Sequence, residues 1–232
     1  TTGQDQHSYE AHVKIVRSKA CDGVIVSTPR LAEVYAPLGK PVYVCSNSVD
    51  PADWPDADPE HQPDGVLRVG WAGSASHGYD LADVRRALDW ASRQPDVEVV
   101  VMGQLDPGVQ HRRIPWTDSL ATYRASVSQI DVMLCPLRPN AWSDCKSDVK
   151  ALEAAMGGAC SIVSRTEPYR PWWDGSAPGY SAASPKEFLK LVKHMVANRD
   201  EVRETARLAR EYAITERNIG HGVHAWREAI AG

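Results

Sequence analysis

Six short apolar runs punctuate this chain of 232 residues: GVIVS at 23–27, PVYVCS at 41–46, VLRVGWAG at 66–73, VEVVVMG at 97–103, DVMLCPL at 131–137 and ACSIVS at 159–164. Short continuous runs rich in valine and isoleucine suit strands buried on both faces, as in parallel sheets. The stretches between them carry helical signals. In TPRLAEVYAPLG, Thr28 is placed to cap, Pro29 takes the first helical position and Gly39 ends the helix. Residues 9–20, 80–94 and 118–129 also read as helical, with Asp80 as a cap for the second and Thr117 or Asp118 for the third. The end of the chain reads as three helices: one opened by Ser184 and Pro185, then about 200–213 and 215–231. Strands alternating with helices predict an α/β fold, a parallel sheet with helices on both faces.

The Pro- and Asp-rich stretch SVDPADWPDADPEHQPDG interrupts this rhythm and reads as a linker. The expected division is a partial or reduced N-terminal α/β lobe over 1–50, a linker over 51–64 and the main domain over 65–232. The net charge of -4 and a pI near 6.1 argue against general nucleic-acid binding, which favours basic chains. No apolar run approaches the roughly 20 residues needed to span a bilayer. The first ten residues, TTGQDQHSYE, have neither the basic start nor the apolar centre of a signal peptide. They lack an initiating Met, so a trimmed chain or a fragment is expected. The five cysteines form no CxxC pair, which predicts a reduced, cytoplasmic protein with buried thiols. His221 and His224 have no acidic or thiol companion, so no metal site is expected.

In a parallel sheet, ligands bind at the carboxyl ends of the strands. Four segments there carry chemistry. GWAGSASHGYD at 70–80 puts Gly73, Ser74 and His77 between a strand and a helix, where backbone amides can approach an anion; a plain tight turn reads equally well. CKSDVKALEAAMGGA at 145–159 reads as a helix from about 146 to 156, with Ser143, Asp144 and Ser147 available to cap it. At roughly 100° per residue, Val149, Leu152 and Met156 form a buried stripe. Lys146, Lys150, Glu153 and Gly157 share a neighbouring face. A lysine in a first turn opposes the helix dipole, and an anionic ligand would remove that conflict. The alternative is a solvated face with a Lys150–Glu153 ion pair. Finally, RRIPW at 112–116 and EPYRPWW at 167–173 bring aromatic and arginine side chains to the same rim, with Trp116 able to cover a nucleobase.

In order, these pieces resemble the nucleotide-sugar-binding half of a GT-B fold, GT4-like (glycosyltransferase group 1), retaining glycosyltransferase, a Rossmann-like domain. DGVIVSTPRLAEVYAPLGKPVYVCSNSVDPADW resembles the last βαβ unit of that family's first domain, with Ser46 to Asp50 in place of its P-N-G-V-D. RVGWAGS resembles its glycine-rich loop, VSQIDVMLCPL its Y-x-x-A-D-V-x-x-x-P element, and KSDVKALEAAMGGACSIVS its E-A-x-A-x-G-x-P-V-V element. Glu153 matches the second of the family's two glutamates, and the first falls on Cys145. Lys146, Ser147 and Lys150 are similar to a Lys-Ser-x-x-Lys subgroup pattern. The family's Arg and Lys after the glycine-rich loop have no counterpart here, and His77 occupies that neighbourhood.

The resemblance implies an enzyme that moves a sugar from a nucleotide-diphosphate sugar to an acceptor, metal-independent and with no further cofactor. It implies that Gly73, Ser74 and His77 flank the phosphates and the sugar. Lys146, Ser147 and Lys150 would stabilise the diphosphate, Glu153 would bind ribose, and Trp116 would border the base, with Lys150, Glu153 and His77 as the catalytic set. The nucleotide sugar is the expected partner. The acceptor is unspecified, and a second copy or a missing N-terminal domain is expected to cover what the short first lobe leaves open. The alternatives are a non-catalytic nucleotide- or sugar-binding module or a fragment lacking its acceptor domain, a nucleotide-sugar epimerase, and an unrelated α/β protein with solvated lysines.

Overall fold

The computed structural model describes residues 3–55 and 65–231. The chain runs α1 (Gly3–Arg17), β1 (Val24–Val26), α2 (Pro29–Tyr35), β2 (Val42–Val44), β3 (Leu67–Gly73), α3 (Gly78–Ala91), β4 (Val97–Gly103), β5 (Arg112–Ile114), α4 (Leu120–Val127), β6 (Val132–Cys135), α5 (Val149–Met156), β7 (Cys160–Ser164), β8 (Tyr180–Ala182), α6 (Pro185–Ala197), α7 (Arg199–Glu216) and α8 (Ile219–Ala231). Of the linker expected over 51–64, residues 56–64 lie outside the described residues.

Two sheets form, and every pairing within them is parallel. The larger has the order β5-β4-β3-β6-β7-β8, and the smaller pairs β1 with β2. In β4, Val99 and Val101 join a core that includes Leu81 and Leu88 of α3 and Phe188 of α6. Their neighbours Val100 and Met102 join the opposite core, with Leu152 of α5 and Ala213 of α7. The period-two alternation of a strand thus feeds two helical layers, and the predicted doubly covered parallel sheet is what the chain forms.

From β3 the chain moves outward to β4 and β5; from β6 it moves the other way, to β7 and β8. The order therefore reverses between β3 and β6. At such a switch point the two crossovers leave in opposite directions, opening a crevice beyond the strand ends.

Several local expectations fail, each for a tertiary reason. α5 begins at Val149, not at 146. Lys146 is extended (φ -70, ψ 168), and the segment before α5 is tied elsewhere: Thr28 Oγ1 donates to the Cys145 carbonyl at 3.1 Å, and Asn47 Nδ2 donates to Ser147 Oγ at 2.6 Å. Lys146 and Ser147 thus precede the helix, and neither Ser143, Asp144 nor Ser147 caps it; the capping position is Asp148, whose side chain is engaged elsewhere. Val149 is 38% exposed in the first turn, so the buried stripe is carried by Leu152 and Met156 with three alanines. Asp80 lies inside α3, which starts at Gly78, and α4 is capped by Ser119 rather than Thr117 or Asp118. β1 and β2 are not buried on both faces: Ile25 and Val44 are exposed. Strand β8, only Tyr-Ser-Ala, has too little apolar sequence to announce itself.

Candidate functional site

The switch point is flanked by the turn after β3 and the loop from β6 to α5. Strand β3 ends at Gly73, where a Cβ would lie 2.5 Å from the Trp71 ring, so only glycine lets the chain turn over that indole. A short 3-10 turn over Ala75–His77 leads into α3. His77 Nδ1 lies 2.8 Å from Asp80 Oδ2, and the other carboxylate oxygen, Oδ1, accepts the Arg138 amide at 2.9 Å. That second bond pins the β6–α5 loop to the start of α3, so the two flanks of the crevice are built as one unit. Burial pushes the Asp80 carboxyl upward, but the His77 and Arg138 bonds and the nearby Lys146 charge more than reverse this, holding it below its ordinary value. An ionised Asp80 accepts at Nδ1, which fixes the His77 ring and leaves Nε2 for a ligand.

Lys150 extends from the first turn of α5 to place its ammonium 5.6 Å from the centroid of the Trp71 ring, within cation–π range. Burial pulls its pKa below the ordinary lysine value; Lys146 pushes the same way, and Cys135, Asp80 and Glu153 oppose. Glu153, one turn on, accepts the Tyr123 hydroxyl at 2.6 Å, and burial raises its pKa. Among the described residues no ion pair joins Lys150 to Glu153, so the solvated-pair alternative does not describe this face. Cys145 donates its thiol to the Ala141 carbonyl and its pKa is raised by burial, the reverse of an activated thiolate.

Lys150 stands over the Trp71 ring that Gly73 abuts, Lys146 acts electrostatically on both Lys150 and Asp80, and Glu153 acts on Lys150 from one turn on; Ser74 and His77 follow Gly73 in the turn, and Ser147 lies beside Lys146 on the β6–α5 loop. Trp116 stands apart. It is 53% exposed beyond the edge strand β5, and its Nε1 bonds Asp118 at 3.3 Å. Three participants had no sequence signal as such. Asp80 reads as a cap in the sequence, Trp71 lies inside an apolar strand run, and Tyr123 lies on a helix of no marked pattern.

A cleft of about 620 Å³ opens beside this cluster, between the two sheets. Lys146, Ser147 and Asp144 line one side; Ser27, Arg30, Glu33 and Ser46 line the other. Asp148 anchors its floor. Its buried carboxylate takes both Arg217 nitrogens, at 2.7 and 3.0 Å, and Trp172 Nε1 at 3.1 Å, while Arg217 also donates to the Asn47 carbonyl. This knot joins α5, the α7–α8 junction and the crossing segment after β2. The parallel bridge Val49–Asn218 lies beside it. No helix among the described residues is long and apolar enough to cross a membrane.

No known family profile and no curated protein sequence matches the chain. Solved structures do. Anabaena HepE, determined with UDP and glucose, superposes with a TM-score of 0.73 at 12% identity, over 97% of this chain and 67% of that one. Sucrose-phosphate synthase from Thermosynechococcus elongatus gives 0.68 at 14%, over 96% and 61%. A variant of S. aureus TarM solved with UDP, α-GlcNAc-glycerol and fondaparinux gives 0.69 at 14%, over 96% and 46%. This chain thus spans about two thirds of HepE and less than half of TarM. The fold is accordingly that of the GT-B glycosyltransferases: a parallel Rossmann-like sheet with helices on both faces, and beside it a smaller parallel sheet across a cleft.

Proposed function

We propose that this chain binds a nucleotide-diphosphate sugar at the β3–β6 switch point and transfers its sugar to an acceptor hydroxyl. The observation that carries this reading is the convergence of Lys146 and Lys150 with the Gly73–His77 turn, two cations and a glycine turn at one crevice. HepE and TarM, alike in fold, hold UDP, which agrees with it. In transfer, the bond from the anomeric carbon to the β-phosphate oxygen breaks and its electron pair stays on the phosphate. The acceptor oxygen bonds the anomeric carbon, and its proton ends on the departing phosphate. Charge therefore grows on the diphosphate, and cations fixed beforehand at that point lower the barrier most. Lys146 and Lys150 supply them here without a metal, in place of the family's Arg and Lys after the glycine turn. Ser147 and the Ser74 region hold phosphate oxygens, His77 Nε2 meets the sugar, and Glu153, oriented by Tyr123, accepts ribose hydroxyls. Trp116 borders the base only if the nucleotide reaches across to β5. The reading extends to a GT4-like, retaining mechanism and to two lobes, 1–50 and 65–232, of a cytoplasmic enzyme. A non-catalytic nucleotide- or sugar-binding module is the second reading.

Thermal unfolding with UDP, GDP, ADP and TDP, without metal, tests the donor site. A diphosphate at 100 times its dissociation constant stabilises by about 2.7 kcal/mol; no shift with any of the four removes the reading. Product formation from the matching nucleotide sugar then separates enzyme from module, and the anomeric configuration of the product reports retention.

Lys150→Met should weaken the stabilising diphosphate by about 1–3 kcal/mol, the worth of a charge-assisted bond, with little change in the unliganded melting temperature. Unchanged affinity takes Lys150 out of the site. A pH dependence follows from the same residue. Its lowered pKa means that the free protein loses the ammonium earlier than an ordinary lysine, while a bound diphosphate restores it. Affinity should fall as pH rises into the alkaline range below the usual lysine value, and binding there should take up a proton. Calorimetry in two buffers of different ionisation enthalpy measures that uptake, and Lys150→Met should abolish it.

A further inference from the structure

Trp71 is the one aromatic residue at the switch point to which the donor chemistry gives no task. It lies in β3, two residues before Gly73, fully buried in the layer that holds Leu81 and Leu88 of α3. The other buried residues of β3 in that layer, Leu67 and Val69, are aliphatic, and a hydrocarbon ring would fill the same place. An indole carries a cost there. Its Nε1–H is buried and makes no hydrogen bond among the described residues. Such a tryptophan calls for a use that phenylalanine serves less well. Of the aromatic side chains, tryptophan presents the face that attracts a cation most strongly, and the Lys150 ammonium stands 5.6 Å from the ring centroid.

The surroundings of Lys150 make that contact matter. The residue is half-buried, and burial disfavours its charged form. Among the described residues no hydrogen bond or ion pair reaches its ammonium. The two carboxylates that act on it are both committed elsewhere: Asp80 to His77 and the Arg138 amide, Glu153 to the Tyr123 hydroxyl. An ion pair would also hold the ammonium still, but an incoming anion would then have to displace the carboxylate. A ring face holds the ammonium and leaves its charge open. Ordering a long side chain at the moment of binding weakens affinity, and a stem ordered in advance avoids that loss.

We propose that Trp71 is a positioning residue of the donor site: its indole face holds the Lys150 ammonium in place of a carboxylate, so that an ordered and unpaired cation meets the diphosphate. The proposal rests on the donor reading above for the diphosphate, and on the indole–ammonium geometry alone for the positioning.

NMR of protein isotope-labelled at its lysine side chains reads the contact without a ligand, with the Lys150 signal identified by its loss in Lys150→Met. The ring current of the indole should move the Lys150 Cε protons upfield. That shift should persist in part in Trp71→Phe and vanish in Trp71→Leu. The Lys150 signal should titrate at lower pH in Trp71→Leu than in the parent, because losing the ring disfavours the charged form. Calorimetry with the diphosphate that stabilises the parent reads the consequence. It is done at a temperature where every variant is folded, since a smaller side chain at a buried position also lowers the melting temperature. Trp71→Leu should weaken binding about fivefold and Trp71→Phe about twofold. In Lys150→Met, adding Trp71→Leu should change affinity by less than about twofold, because the ring then has no ammonium to hold.

The proposal is overturned if Lys150 shows no ring-current shift, or if its titration in Trp71→Leu is unmoved or rises. It is also overturned if Trp71→Leu weakens the diphosphate equally with and without Lys150. Trp71 would then act only by packing beneath the turn, since a Cβ on Gly73 would lie 2.5 Å from the same ring. Any of these results, with the diphosphate still bound by the parent, spares the donor reading. A ring-current shift in a parent that binds none of the four diphosphates sinks the donor reading and the positioning role together, leaving only a buried cation–π pair.

Discussion

Arg217→Met should lower the unfolding free energy by about 3–5 kcal/mol, the cost of stranding a buried charge by removing its partner. Asp148 is 6% exposed at its side chain and takes two bonds from Arg217 and one from Trp172. Methionine keeps most of the arginine stem's packing, so the loss reports the charge rather than a cavity. For a chain of this size, each kcal/mol is worth roughly 2–4 °C of melting temperature, and the shift should be near 10 °C. The double variant Asp148→Leu with Arg217→Met should recover most of it, because an apolar replacement of both partners carries no buried charge. If the single variant melts within about 1 °C of the parent, the knot does not hold the lobes together. Arg217 also donates to the Asn47 carbonyl, so the same variant should loosen the crossing segment after β2. Faster amide exchange around 45–49 would show it.

Gly103→Ala should cost about 3 kcal/mol, from two independent sources. Gly103 has φ +117, a conformation that L side chains rarely adopt, and its Cβ would lie 2.1 Å from the Gly73 carbonyl oxygen. Gly103 and Gly73 face each other in the β4–β3 register, so the substitution drives the strand end that carries the glycine turn away from β4. Its signature is therefore double: a lower melting temperature, and loss of the diphosphate shift at temperatures where the protein remains folded. Gly39→Ala is the control. It shares the positive φ, at +79, but has nothing within 4 Å of its Cβ, and it should cost only about 1 kcal/mol. Equal losses at the two positions would show that strain alone, not the close approach of the strand ends, explains Gly103.

Much of this architecture was legible in the residues. VEVVVMG and ACSIVS could be little other than buried strands, since period-two burial on two faces demands continuous apolar sequence. Thr28 with Pro29, and Ser184 with Pro185, announced their helices because a capping oxygen and a missing amide satisfy a helix start locally. The glycine turn after β3 was legible because Gly73 and Gly78 mark a break between a strand and a helix. Less was legible where a side chain serves a distant group. Asp80 reads as a cap in the sequence, yet it joins His77 to the amide of Arg138, 58 residues on. Asp148 reads as one more polar residue before a helix, yet its partner Arg217 lies 69 residues away.

The start of α5 shows where the division falls. The pattern of 145–159 set the helix, its apolar side and the presence of two lysines, because these follow from periodicity within one turn or two. It could not set the first residue. Propensity would carry the helix back to Lys146, but Thr28 takes the Cys145 carbonyl, Asn47 takes the Ser147 hydroxyl and Arg217 takes the Asp148 carboxylate. A helix start costs several fixed dihedrals for its first bond, so three tertiary bonds suffice to move it. The result leaves Lys146 extended toward the cleft and Lys150 over Trp71. The sequence by itself determined that two cations would follow a strand one helical turn apart; tertiary contacts alone decided that Lys146 would line the cleft and Lys150 would lie over Trp71, because which groups share a space depends on contacts between residues far apart in the chain.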